Sequence, residues 1–204
     1  NGMGKSTLLR LIAGVLKPDR GEIVFNKKMG ADPKRKTGFI SDILSLYESL
    51  RVSQAIDFHK SAYKLSEFDD SLIKHTKIGL NQKVRELSTG QKTILHLSLI
   101  MSTEPELFLI DEVIHSIDAY LRKVFLEQLI QMLTRRKITL VMVNLNFHDI
   151  EHIVDRVILL KSGQIAVDEE IDSLKAKVKK IITNDPPKPE TIVSKIDYAD
   201  FSEF

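Results

Sequence analysis

The chain has 204 residues, 43% hydrophobic and 28% charged, which is apolar material enough for one compact domain with an added lobe. Thirty basic against 28 acidic side chains leave a formal charge of +2, unlike the strong basic excess of a dedicated nucleic-acid binder. With no cysteine and no apolar run approaching ~18 residues, disulfide frameworks, thiolate zinc sites, cysteine nucleophiles and membrane-spanning helices are excluded. No secretory signal opens the chain, so a cytosolic address is expected.

The first helix is predicted over Ser6–Ala13, followed by a turn at Pro18-Asp19-Arg20-Gly21. Glu22–Phe25 reads as a short strand, Lys27–Lys36 as a polar, basic loop, and Thr37–Ile40 as a second strand. Apolar spacings of three and four make residues 52–80 mainly helical, and Ser88 opens a long helix through Ile94, Leu97 and Ile100. Leu107–Ile110 and Ile138–Val143 are continuous apolar strands, separated by an amphipathic helix over Ala119–Leu133. A short helix is expected up to Val154. Val157–Leu160 and Ile165–Val167 then flank Ser162-Gly163-Gln164 as a hairpin. Apolar strands alternating with helices predict an α/β fold with a mainly parallel sheet covered on both faces. The strand-free stretch of about 44–100 forms a helical lobe beside it. The tail after Asn184-Asp185-Pro186-Pro187 is linker-like.

Three motifs carry chemistry. Gly2-Met3-Gly4-Lys5-Ser6-Thr7 matches the end of the phosphate-binding pattern G-x-x-x-x-G-K-[ST]. Its glycines let backbone N–H groups face phosphate oxygens, the helix start is electropositive, Lys5 reaches the β- and γ-phosphates, and Ser6 offers its hydroxyl to Mg²⁺. Read alone, the segment is either such a P-loop or a glycine-rich turn. The chain opens inside this motif, at Asn1, so an N-terminal segment is expected to precede it. Leu107–Ile110 ends in Asp111-Glu112, which suits either a Mg²⁺ site with a water-polarising carboxylate or a solvated acidic turn. Leu87-Ser88-Thr89-Gly90-Gln91 precedes a helix, as a plain N-cap or as an anion site.

Together the three motifs resemble the ATP-binding cassette family, the nucleotide-binding subunits of ABC transporters. Leu87–Gln91 is similar to that family's signature sequence, with Thr89 in place of one glycine, and Ser88 lies 23 residues before Asp111 (111 − 88). Ser116-Ile117-Asp118 resembles its D-loop, Gly38–Asp42 with Leu46-Tyr47-Glu48 its Q-loop region, and Asp155–Ile165 its closing strands. The likeness runs from Asn1 to about Leu174. It implies a P-loop NTPase-like ATP-binding domain over 1–174 with a helical signature lobe, and an extension over 175–204.

The resemblance also implies residue roles. Gly2, Met3, Gly4, Lys5, Ser6 and Thr7 would bind the phosphates of ATP in cis. Ser88, Gly90 and Gln91 would reach the γ-phosphate in trans from a second cassette, and Asp118 would bridge the pair. Ser6 and Asp111, with Asp42, would serve Mg²⁺, and Glu112 would act as general base. The expected partners are a second cassette and a separate membrane permease, with no nucleic acid. The chain would sit on the inner face of the cell membrane as its peripheral ATPase.

Several positions depart from the family pattern. Asp42 stands where glutamine is usual, and Val113-Ile114 where proline and threonine are. Counting back ten from Asp155 places Leu145 where a switch histidine belongs, and leucine offers no hydrogen bond to a γ-phosphate. His148, three residues on, reads first as a surface histidine and second as a substitute reached by a rearranged loop, and Asn144 and Asn146 are nearby polar alternatives. These departures favour ATP binding over rapid turnover. They keep open a regulatory module that dimerises on ATP and scarcely hydrolyses it. A soluble cassette acting on DNA or ribosomes lacks support, since neither a coiled-coil insertion nor a second cassette is present. The clusters Lys34-Arg35-Lys36 and Lys177–Lys180 read as solvated loops, and His59, His75, His96, His115 and His152 show no metal-ligand spacing. Phe39, Phe58, Phe108, Phe125 and Phe147 are expected in the core.

Overall fold

A computed structural model describes residues 2–41, 43–143, 150–177, 182–183, 196–197 and 202–203. The chain forms two compact units, 1–147 and 148–204.

The first unit is built on a parallel sheet of β1 (Thr37–Ile40), β2 (Leu107–Asp111) and β3 (Thr139–Val143), in that order. Thr37 pairs with Leu107, and Leu107 in turn with Thr139. All five residues of the central strand are buried, which is why its sequence is an unbroken apolar run rather than an alternating one. Helix α1 (Lys5–Ile12) packs on β2 through Leu9, which is 2% exposed and clusters with Leu107, Leu109 and Val143.

Between β1 and β2 the chain makes the helical lobe: α2 (Val52–Tyr63), α3 (Ser71–Lys74) and α4 (Thr89–Ser102). Val52, Ile56, Ile73, Val84, Leu95 and Leu99 bury their side chains together there. The backbone N–H of Val52 donates to Gln82 and that of Val84 to Leu50, each at 2.9 Å, so the 80–87 loop is tied to the start of α2. Helix α4 also packs on β1 and so joins lobe to sheet. Between β2 and β3 runs α5 (Ala119–Arg135), with Leu121, Phe125 and Leu129 buried.

The second unit holds the expected hairpin, β4 (Arg156–Lys161) against β5 (Gln164–Glu170). Its two turn residues, Ser162 (φ 51°) and Gly163 (φ 77°), are both left-handed, as the twist of a two-residue hairpin turn requires. Helix α6 (Ile171–Lys177) follows, begun by an Ile171 N–H to Asp155 carbonyl bond of 2.9 Å.

Four expectations are corrected. Glu22–Phe25 forms no strand, because no described strand lies alongside to complete a ladder, and Val24 is 79% exposed. Residues 52–80 are helical only in part, interrupted after Tyr63 where Lys64 turns left-handed. The described part of the segment before Val154, Ile150–Ile153, is a turn. Phe58 is 52% exposed rather than in the core, whereas Phe108 and Phe125 are fully buried and Phe39 partly so. Phe147 lies outside the described residues.

Candidate functional site

The glycine turn is shaped by backbone geometry. Gly2 (φ 79°) and Gly4 (φ 93°) occupy the left-handed region, which a side chain would strain. A Cβ added at either would meet nothing within 4 Å, so the turn presents open backbone. Gly4 precedes α1 and accepts from the N–H of Leu8 at 2.9 Å, and no side chain caps the helix. The first-turn N–H groups thus remain available to an anion.

Packing brings this turn to the acidic strand end. With Leu9 holding α1 on β2, the hydroxyl of Ser6 donates to Oδ1 of Asp111 at 3.0 Å. Asp111 is 2% exposed, a buried carboxylate at the edge of the cradle. Glu112 follows, half-buried and left-handed (φ 53°, ψ 16°), with its N–H donating to the Val143 carbonyl at 3.0 Å. A 3₁₀ turn over Val113–Ser116 comes next, anchored by buried Val113, Ile114 and Ile117. Asp118 then caps α5, its carboxylate accepting from the N–H of Leu121 at 3.0 Å. Ser6 and Asp111 together make a hard-oxygen pair of the kind Mg²⁺ takes, with waters and substrate phosphates completing the shell. Among the described residues no group of three or more His, Asp or Glu could hold a metal by itself.

The Ser88–Gln91 turn starts α4 with reciprocal caps. The Ser88 hydroxyl accepts from the Gln91 N–H at 3.2 Å, and the Ser88 N–H donates to Oε1 of Gln91 at 2.9 Å. The S-x-x-Q spacing signals this capping box, so the Gln91 side chain is folded back on its own turn rather than held outward. Ser88 and Thr89 are exposed. A Cβ on Gly90 would lie 3.1 Å from the Ser116 carbonyl oxygen, so the turn and the loop after Glu112 run in close approach. Thr93, 1% exposed, has its hydroxyl oxygen 2.8 Å from that of Ser116.

The predicted site residues therefore form two sets: the glycine turn with Asp111, and the Ser88 turn with the loop leading to Asp118. Asp42, Asn144, Leu145, Asn146 and His148 lie outside the described residues. Sequence reasoning passed over Thr93, whose only signal is a hydroxyl on the buried face of α4.

A cleft of about 580 Å³ opens between the lobe and β1, lined among others by Leu46, Tyr47, Phe58, His59, Tyr63 and His96. Tyr47 meets Phe58 edge-on at 5.1 Å. Nε2 of His59 and Nδ1 of His96 are buried without a hydrogen-bond partner. Burial, reinforced by the neighbouring His59, lowers the pKa of His96 to about 4, and burial also lowers that of His59.

The family described as ABC transporter matches residues 1–115. The ABC transporter ATP-binding protein YtrB of Bacillus subtilis (strain 168) is 30% identical over 186 residues, covering 89% of this chain; the chain spans only 64% of that relative's length. A solved ATP-binding subunit of an ABC transporter superposes with a TM-score of 0.76 at 23% identity, over 87% of this chain and 78% of its own. A dimeric, post-hydrolysis ATP-binding cassette, MJ0796 bound to ADP and phosphate, does so at 0.69 and 20% identity, over 83% of this chain and 82% of its own. The parallel sheet and its flanking helices are thus the α/β fold of the ABC ATPase domain.

Proposed function

Since the chain belongs to the ABC transporter family, we propose that it is the ATP-binding subunit of a membrane transporter, binding and hydrolysing ATP in a head-to-tail pair to drive transport through a separate permease. The observation that carries this reading is the 3.0 Å bond from Ser6 to the buried Asp111 beside an open glycine turn. That pairing sets an anion cradle next to a carboxylate that a Mg²⁺–triphosphate complex needs.

In this reading Gly2, Met3, Gly4, Lys5, Ser6 and Thr7 hold the phosphates, by backbone N–H groups and the Lys5 ammonium. Ser6 and Asp111 hold Mg²⁺, whose chemistry when bound is neutralisation of phosphate charge. Asp42 joins them by resemblance alone. Glu112, leaving the strand beside Asp111, takes the proton from the attacking water. The exposed Ser88, with Gly90 and Gln91, serves the γ-phosphate of the facing cassette, and Asp118 sits at the junction. Residues 1–174 form the ATP-binding domain, with its lobe over about 44–100, and 175–204 extend it. The aromatic cleft beside the lobe is the surface offered to the permease. Among the described residues no helix is long and apolar enough to cross a membrane; in this reading the permease is another chain and the subunit is peripheral on the inner membrane face.

A second reading, a nucleotide sensor that dimerises but turns over slowly, is favoured by Leu145 at the switch position. One experiment addresses both. Phosphate release and ATP-dependent association are measured for the wild type and for Glu112→Gln. A transport ATPase releases phosphate, loses at least ~100-fold of that rate in the variant, and dimerises more durably. A wild type that associates on ATP without release supports the sensor, and one that binds no ATP ends both readings.

A further inference from the structure

Thr93 and Ser116 present a donor deficit. The Thr93 hydroxyl is placed to donate to the Thr89 carbonyl at 3.0 Å, and that of Ser116 to the Val113 carbonyl at 2.8 Å. The two hydroxyl oxygens are also 2.8 Å from each other. Each hydroxyl owns one proton, so two protons serve three contacts. Two arrangements satisfy the count. In one, Thr93 keeps its bond to Thr89 and Ser116 donates to Thr93, releasing the Val113 carbonyl. In the other, Ser116 keeps its bond to Val113 and Thr93 donates to Ser116, releasing the Thr89 carbonyl. Thr93 is 1% exposed, so no solvent proton serves its end of the pair, whereas Ser116 is exposed.

We propose that this hydroxyl pair is a two-state relay that positions the loop carrying Glu112 against the turn carrying Ser88. The side-chain bond given up is at one end that to the Thr89 carbonyl, inside the Ser88–Gln91 turn, and at the other that to the Val113 carbonyl, next to Glu112; each carbonyl keeps the backbone N–H of its own helical turn. The close approach of Gly90 to the Ser116 carbonyl keeps the two backbones in register, so a shift at one end is felt at the other. The inference rests on the ATPase reading above. There, Ser88 and Glu112 of one chain serve different nucleotides, so the relay links the two sites of the pair through differential preference for its two arrangements. Thr93 and Ser116 are positioning residues and need not touch ATP.

The test is a double-mutant cycle on the full chain, with Thr93→Val, which keeps shape and removes the hydroxyl, Ser116→Ala at an exposed position, and the double variant. Phosphate release gives kcat and KM for ATP, and sedimentation gives ATP-dependent association. Each single variant should lower kcat by about fivefold or more at unchanged KM. The double variant should be no worse than the poorer single one, and Thr93→Ser should restore the rate. If the wild type associates without turnover, the same pattern is read on the ATP concentration for half-association. Single variants with unchanged rate, or effects that multiply in the double variant, overturn the relay and leave the ATPase reading standing. A wild type that binds no ATP overturns the ATPase reading, and the relay with it.

Discussion

Ser6 on α1 and Asp111 at the end of β2 are 105 residues apart in the chain and 3.0 Å apart in space, hydroxyl to carboxylate. The contact exists because Leu9, one turn further along the helix, is buried against Leu107 and Leu109. Packing three residues along the helix from Ser6 thus sets this geometry. Asp111→Asn keeps the volume and the acceptor for Ser6 but removes the charge. Turnover should fall about 100-fold or more, and the dependence of ATP binding on Mg²⁺, followed by a fluorescent nucleotide, should weaken strongly.

One substitution separates the cap that Ser88 makes from the role proposed for it in a facing site. Aspartate caps helices as well as serine does, so Ser88→Asp should leave the thermal midpoint nearly unchanged. Its negative charge would face a γ-phosphate in a head-to-tail pair, so ATP-dependent association should be lost. Ser88→Ala instead costs about 1 kcal/mol of stability through the lost cap. Association retained in Ser88→Asp would remove Ser88 from the facing site.

Gly38 is buried in β1, and a Cβ there would lie 2.6 Å from Cγ2 of Ile100 and 3.1 Å from Cγ of Pro105. Ile100 is β-branched and helical, with little freedom to turn aside. Gly38→Ala should therefore destabilise by about 1–3 kcal/mol and separate α4 from the sheet. Urea denaturation measures the first effect.

Acid should loosen the lobe. The pKa of His96 falls on folding to about 4 from the ordinary histidine value of 6.5, by burial first and the adjacent His59 second. The unfolded chain therefore takes up a proton near pH 6.5 that the folded one refuses until about pH 4. Stability is full above that window and is lost as pH drops through it. Between pH 7 and pH 5 the loss from His96 is about 2 kcal/mol, and His59 shifts in the same direction. Denaturation midpoints of the wild type and of His96→Gln, compared across that range, should converge on acidification. Parallel curves would show that His96 does not set the response.

Much of the site was legible because its segments carry their own signals. The unbroken apolar run of Leu107–Ile110 is what a central parallel strand needs, and Ser88 with Gln91 spells a capping box, so both elements fall where the residues place them. Glu22–Phe25 misled because strand propensity is realised only beside a partner. Phe58 misled because an aromatic ring serves a cleft wall as readily as a core. The Thr93–Ser116 pair spans 23 positions and two elements, a relation that no local pattern encodes.

Glu112 leaves β2 with a backbone that asparagine, aspartate and glycine enter readily and β-branched residues enter only at a cost. Drift at this codon is consequently asymmetric. A descendant that loses the role proposed for Glu112 through asparagine or glycine inherits an intact scaffold, whereas valine or isoleucine would damage the scaffold as well. Inactive copies of this protein, where they arise, should bear the first kind of replacement.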